Sequence, residues 1–172
     1  MKLFDVYPLY EVTPVKAKGV FVYDEKGKKY LDLYGGHAVI SIGHSHPHFV
    51  RKISRQLRRI AFYSNAVQNP LQEQLASSIG EQSCLHDCEL FLCSTGAEDI
   101  ENALKLSSFH TQRKKVIAFK GAFHGRTSAA VAVTDNISIN APINSQHEVT
   151  FLPFDDIEAL EKERAEPIEI GI

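Results

Sequence analysis

What this sequence lacks narrows its reading before any motif does. No apolar run approaches the roughly 20 residues that a membrane-spanning helix needs. No internal repeat and no low-complexity linker interrupts the chain. Neither sign of charge dominates: 19 Lys and Arg stand against 21 Asp and Glu, and the net charge of −2 gives no bulk reason to bind nucleic acid or a membrane. Cysteine is scarce. Cys84, Cys88 and Cys93 are an odd, closely spaced set, which points to a reducing compartment and not to a disulfide framework, so the cytoplasm is expected. The first residues show no basic stretch leading into an apolar one, and no signal peptide is expected. What remains is ordinary: 172 residues, 44% apolar and 23% charged, enough to bury a substantial core.

The pattern along the chain changes character once. Val20–Tyr23 and Lys29–Leu33 flank the turn-forming Asp24-Glu25-Lys26-Gly27-Lys28, which predicts a β-hairpin. Pro47 suits the first turn of a helix, and Phe49, Val50, Ile53, Leu57 and Ile60 recur behind it at helical spacing. The arginines and Lys52 opposite them read as a solvated face and not as a nucleic-acid surface. A second helix is expected from Asn69-Pro70 to Gly80, with the glycine as its stop. From Glu89 strands alternate with helices. Leu90–Cys93 reads as a buried strand, and Ser94-Thr95-Gly96 leads into a helix carrying Ile100, Ala103 and Leu104 on one face. Lys115–Phe119 and Val149–Leu152 are strands, a helix follows through Ile157, Leu160 and Lys162, and Ile168–Ile172 resembles the start of another strand. The alternation implies an α/β fold with parallel βαβ units. The halt in mid-pattern leads to the expectation of a truncated chain.

Two loops carry the densest chemistry. Ser94-Thr95-Gly96-Ala97-Glu98 lies between a strand and a helix, where backbone N–H groups and a hydroxyl can take a phosphate. An ordinary helix cap reads the same way. Lys120-Gly121-Ala122-Phe123-His124-Gly125-Arg126-Thr127 follows the next strand. Its aromatic can stack on a flat ring, and its guanidinium can grip a carboxylate in bidentate fashion. A tight turn with Phe123 in the core and Arg126 in an ion pair is the competing reading. Together the loops would meet at one sheet edge, where open α/β sheets bind ligands. His44, His46 and His48 could attract zinc, but Pro47 makes the segment a loop entering a helix and no second ligand cluster accompanies it. Cys84-Leu85-His86-Asp87-Cys88 likewise lacks a second pair at finger spacing. No metal site is expected.

These residues resemble a known family. Ser94–Glu98, with Glu101 and Ala103-Leu104-Lys105 behind it, is similar to the phosphate-binding segment of class III pyridoxal-phosphate aminotransferases. Gly121–Thr127 resembles their pyridoxal-stacking loop, Gly43–Pro47 their Gly-His-x-His-Pro turn, and Tyr30-Leu31-Asp32 with Gly35-Gly36 their N-terminal region. The resemblance is collinear over nearly the whole chain and is strongest to the branch acting on acetylornithine or succinylornithine. It implies the α/β fold of fold-type I pyridoxal-phosphate-dependent transferases, present in part. Residues 1–46 would be a β-rich N-terminal segment of the small domain, and 47–172 part of the mostly parallel-sheet large domain. It also implies the cofactor pyridoxal 5′-phosphate and transfer of the δ-amino group of an N-acylated ornithine to 2-oxoglutarate, in arginine biosynthesis and in a homodimer.

By the same resemblance Thr95, Gly96 and Ala97 would hold the cofactor phosphate, Phe123 would stack on the ring with His124 beside it, and Arg126 would take the substrate carboxylate. Ser64, Asn65 and the segment around Val39 would line the substrate entrance. The family usually reads Asn-Ser-Gly-Ala-Glu-Ala-Asn-Glu where this chain reads Ser94-Thr95-Gly96-Ala97-Glu98-Asp99-Ile100-Glu101. Thr95 keeps a hydroxyl, while Ile100 replaces a polar residue. No lysine stands in the context of the family's Schiff-base lysine, so no catalytic residue is assigned, and the expectation is a chain inactive alone. The alternatives are another class III aminotransferase, acting on ornithine or 4-aminobutyrate, and a catalytically inactive remnant. His124, where ornithine enzymes tend to carry tryptophan, leans toward the acylated substrate.

Overall fold

The computed structural model describes residues 1–4, 6–165 and 170–171, which divide into two compact units, 1–73 and 74–172. The first unit is built on an antiparallel sheet of β1 (Pro14–Lys18), β2 (Phe21–Asp24) and β3 (Lys29–Leu31), in that order. The expected hairpin is there, with Val22 opposite Tyr30. Its turn is organised by Asp24, whose carboxylate accepts from Lys26 N at 2.9 Å, Lys28 N at 2.8 Å and the Tyr30 hydroxyl at 2.8 Å. An aspartate closing a turn on backbone two residues ahead is an Asx motif. Gly35–Ala38 then forms one turn, α1, in which His37 and Ala38 hold φ of 58° and 61°. The helix α2 (Pro47–Leu57) starts at the proline, as its fixed φ favours.

His44, in the turn before that helix, has a structural role. Its Nε2 lies 2.6 Å from Asp32 Oδ2, while Asp32 Oδ1 accepts from Tyr34 N at 2.9 Å and Gly35 N at 2.8 Å. His44 and Gly19 also exchange backbone hydrogen bonds in both directions, at 2.8 and 2.9 Å. The histidine thus ties the Gly-His-x-His-Pro turn to the hairpin. Among the described residues no group of three or more His, Cys, Asp or Glu is placed to hold a metal ion.

Both aspartates titrate below their ordinary range. For Asp32 the His44 ring is the main cause, aided by the Gly35 and Tyr34 N–H groups and opposed by burial. For Asp24 burial pushes upward, but the Tyr30 hydroxyl and the Lys28 and Lys26 N–H groups together outweigh it. A carboxyl that binds protons less tightly when folded stabilises the fold above its unfolded pKa, about 4, and that contribution disappears as pH falls through the lower folded value. Residues 1–73 are therefore expected to lose denaturant resistance from about pH 4 downward. Asp32→Asn should flatten that profile. A variant whose unfolding midpoint keeps the wild-type pH dependence would count against it.

The helix α3 (Pro70–Ser83) runs three residues past the stop expected at Gly80. The left-handed position belongs instead to Cys84 (φ 59°), and Leu85 N donates to Gly80 O at 3.2 Å. The second unit holds α4 (Gly96–Thr111), β4 (Val116–Phe119), α5 (Ser128–Ala132), β5 (Val149–Leu152), α6 (Ile157–Ala165) and β6 (Ile170–Gly171). Its sheet has the order β5-β4-β6 and is parallel throughout, with Ala118 opposite Phe151 and Val116 opposite Ile170. Parallel strands covered on both faces read as continuous apolar runs, and Val116-Ile117-Ala118 is one, buried throughout. Leu104 of α4 packs with Val116, Ala118 and Val133, and Ile100, Ala129, Val149 and Phe151 close over them. Lys115 of the segment entering β4 pairs with Glu163 of α6 at 2.5 Å.

One expectation meets a different outcome. Leu90–Cys93 forms no strand, and Leu90, Phe91 and Leu92 are 40 to 61% exposed. An apolar segment becomes a strand only where a neighbouring backbone completes its ladder, and none does so among the described residues. Of the final strand-like run, Ile170 and Gly171 form β6, while Ile168, Glu169 and Ile172 lie outside the described residues. No helix of the described residues is long and apolar enough to cross a membrane.

Candidate active site

The site candidates of the second unit grow from two backbone junctions. At the first, Thr95 is the N-cap of α4, with extended φ and ψ of −146° and 155°. Its hydroxyl accepts from Glu98 N at 3.1 Å, and the Glu98 carboxylate reaches back to Ser94 N at 2.9 Å. This capping-box arrangement satisfies the third helical N–H and the N–H preceding the cap. It leaves the Gly96 and Ala97 N–H groups, the first two of the helix, without an intrahelical acceptor. The Thr95 hydroxyl still has its proton to give, since a hydroxyl both accepts and donates. Two N–H groups, a hydroxyl and the positive end of a four-turn helix are what an anion needs.

The second junction is the loop from Lys120 to Thr127. Lys120 N continues the sheet ladder to Leu152 O at 2.8 Å, and then the chain turns, with Gly121 at φ 76°. Gly121 N donates to the Asp135 carboxylate at 2.7 Å, and Asp135 N to Ala122 O at 3.0 Å. His124 N and Gly125 N both donate to the Thr134 hydroxyl, at 2.9 and 3.2 Å. Phe123 is left 61% exposed, so the reading that placed it in the core does not hold. The Arg126 guanidinium carbon stands 5.5 Å from the Phe123 ring centroid, within cation–π range. His124 Nε2 is buried and has no hydrogen-bond partner among the described residues.

The structure brings the two junctions together. A Cβ built on Gly125 would lie 2.7 Å from Ala97 Cβ and 3.1 Å from Ala97 Cα, so the loop touches the first turn of α4 directly. Glu101, one turn further along that helix, accepts from the Thr127 hydroxyl at 2.9 Å and from Ala130 N at 3.0 Å. It thereby caps α5 from outside and staples the loop to α4. Thr95, Gly96, Ala97, Phe123, His124 and Arg126 thus belong to one folded unit, with the N-terminal turn of α4 touching an aromatic and cationic loop. These residues fit a phosphorylated flat ring: the N–H groups of the helix start would suit a phosphate, and the buried imidazole nitrogen without a partner and the exposed aromatic would suit the ring. In the first unit, Ser64 and Asn65 line a cavity of about 520 Å³ with Gln56, Arg59, Tyr63 and Gln68. Val39 is not part of that lining and stands 73% exposed.

Sequence reasoning missed Thr134 and Asp135. Their local signal, Thr-Asp-Asn after the apolar run Ala129–Val133, reads only as a helix ending in a turn. That these side chains reach back 9 to 14 residues is set by the tertiary path.

Comparison with known proteins places the family and the fold. The family model described as aminotransferase class-III matches residues 6–170. The acetylornithine aminotransferase of Archaeoglobus fulgidus is 37% identical over 161 residues, which is 93% of this chain and 42% of that protein. The crystal structure of the ornithine aminotransferase from Toxoplasma gondii ME49 superposes with a TM-score of 0.85 at 25% identity, covering 98% of this chain and 41% of that one. A structure of the Toxoplasma gondii enzyme crystallised with oxidized glutathione, described as having partial occupancy of PLP at its active site, gives 0.81 at 24% identity, covering 97% and 41%. The chain thus spans about two fifths of the length of each of these relatives. Its fold is that of fold-type I transaminases in part, and the chain belongs to the class-III aminotransferase family.

Proposed function

We propose that this chain supplies the phosphate and ring subsites for pyridoxal 5′-phosphate and a substrate-carboxylate contact, in an aminotransferase that moves the δ-amino group of N-acetylornithine or N-succinylornithine to 2-oxoglutarate. The observation that carries the reading is the contact of Gly125 with Ala97, which joins the Thr95–Ala97 helix start to the Phe123–Arg126 loop. When bound, the cofactor supplies the electron sink for the amino-group chemistry. The chain's own residues bind and orient. The Thr95 hydroxyl and the Gly96 and Ala97 N–H groups hold the phosphate. Phe123 offers its open face to the ring, and His124 lies beside it with a nitrogen to share. Arg126 takes a carboxylate through two parallel hydrogen bonds, a geometry lysine cannot copy.

The apolar face of α2, with Phe49, Val50, Ile53 and Leu57 about half exposed, supports an assembly larger than this segment, a homodimer in our reading. The three exposed cysteines support a reducing compartment, the cytoplasm.

A pair of measurements tests the assignment. Thr95→Asp keeps a favoured N-cap but puts a negative charge where the phosphate would sit. It is expected to preserve thermal stability and to weaken pyridoxamine 5′-phosphate binding, followed by calorimetry, at least about tenfold. Unchanged affinity would reduce Thr95 to a plain cap. The substrate assignment is read from the protein expressed from its natural reading frame, as glutamate formed from 2-oxoglutarate. N-acetylornithine or N-succinylornithine should outperform ornithine and 4-aminobutyrate, and the reverse order would reject the acylated substrate.

A further inference from the structure

We infer that Thr134 and Asp135 are positioning residues of the cofactor loop: the pair fixes the backbone of Gly121–Gly125 and so sets where Phe123, His124 and Arg126 are presented. That the loop serves a cofactor rests on the function proposed above. The clamp itself rests on hydrogen bonds.

Thr134 follows α5 and is 3% exposed. Its hydroxyl oxygen accepts two neighbouring N–H groups of the loop, His124 at 2.9 Å and Gly125 at 3.2 Å. Its proton lies within reach of Gly125 O at 3.1 Å and Ala130 O at 2.9 Å. A hydroxyl has one proton and two lone pairs, so this one is saturated. Asp135 works on the other limb, with its carboxylate on Gly121 N and its own N–H on Ala122 O, at 2.7 and 3.0 Å. Two adjacent side chains thus hold both limbs of the loop, and Phe123 sits at the crest between them. Its exposed ring has no core to rest in, so its direction follows from the backbone beneath it.

The strands do not need this clamp for their own ladder, which ends at Lys120 N. Gly121 is exposed, and water could satisfy its N–H in a mobile loop. What the clamp adds is a loop that arrives at its ligand already ordered, which lowers the entropy cost of binding. It works together with Glu101, which holds the far end of the same loop through Thr127 and Ala130.

The test uses the full chain and three variants, Thr134→Val, Thr134→Ser and Asp135→Ala. Two readouts are followed: amide hydrogen exchange by mass spectrometry, and affinity for pyridoxamine 5′-phosphate. In Thr134→Val, residues 121–125 should exchange about tenfold faster or more, because the part-buried His124 and buried Gly125 N–H groups lose their acceptor, while β4 and β5 keep wild-type protection. Pyridoxamine 5′-phosphate should bind about tenfold more weakly, while inorganic phosphate, used as a competitor, keeps its affinity to within about threefold. Thr134→Ser restores the hydroxyl and should recover both readouts to within about threefold of wild type. Asp135→Ala, at an exposed position, carries the test should Thr134→Val fail to fold, and is expected to release Gly121 and Ala122 selectively. Wild-type exchange at 121–125 in both Thr134→Val and Asp135→Ala overturns the inference, as does failure of Thr134→Ser to rescue. A wild-type chain that does not bind pyridoxamine 5′-phosphate removes the proposed function instead, and the exchange comparison still decides the clamp.

Discussion

Gly125→Ala should destabilise residues 74–172 by about 3 kcal/mol and loosen the contact on which the candidate site depends. Two separate costs add. At φ 145° the Gly125 backbone lies outside the regions an L side chain adopts, and such strain costs about 1 to 3 kcal/mol. The new Cβ would also stand 2.7 Å from Ala97 Cβ and 3.0 Å from Ala130 Cβ. Neither neighbour has a flexible end to move aside. Relief has to come from sliding the Phe123–Arg126 loop off the first turn of α4, or from shifting α5. Gly121→Ala is the internal control. Gly121 also has positive φ, 76°, but nothing lies within 4 Å of its Cβ position, so only backbone strain is incurred, about 1 kcal/mol. Urea unfolding of the two variants separates the terms. If Gly125→Ala is no more destabilising than Gly121→Ala, the close approach of loop and helix is not an energetic feature of the fold.

The same pair shows what was legible in the chain and what was not. Features set by neighbours in sequence could be read directly: the hairpin around Asp24, the Pro47 helix, the Thr95 cap, and the apolar runs that became β4 and β5. Each depends on a period or a turn residue within a few positions. Features set by distant backbone could not. β1 begins at Pro14, shifts register between Pro14 and Lys16 and carries exposed lysines, so its own pattern says little, and it pairs only because β2 lies beside it. Leu90–Cys93 shows the converse, a run of strand character that finds no ladder. Gly80 looked like a stop, yet α3 continues and the left-handed turn falls on Cys84. In the candidate site, the residue types at 95–97 and 123–126 drew attention to two loops, and the fold brings those loops into contact. The side chains that hold the second loop, Thr134 and Asp135, did not stand out, because a threonine after an apolar helix has many uses. Only the turn of chain between Gly125 and Thr134 gives it this one.

Arg126→Lys is expected to lower kcat/KM for the amino donor about 100-fold, while pyridoxamine 5′-phosphate affinity stays within about threefold of wild type. The protein expressed from its natural reading frame is the one to assay. Charge is retained in this substitution, so a loss cannot be assigned to electrostatic attraction alone. What lysine lacks is the planar fork that meets both oxygens of a carboxylate, and each charge-assisted hydrogen bond contributes about 1.5 to 3 kcal/mol. Arg126 also lies against Phe123, 5.5 Å from the ring centroid, on the loop whose backbone Thr134 holds. The aromatic therefore helps to hold the guanidinium in place, and Phe123→Leu should produce a smaller loss in the same direction, about threefold to tenfold in kcat/KM. The contrast between cofactor affinity and substrate turnover is what identifies the residue. Equal weakening of both by Arg126→Lys would assign the guanidinium to the cofactor or to loop stability. A loss confined to turnover of carboxylate-bearing substrates would place Arg126 on the substrate, one residue beyond the glycine that docks the loop on the first turn of α4.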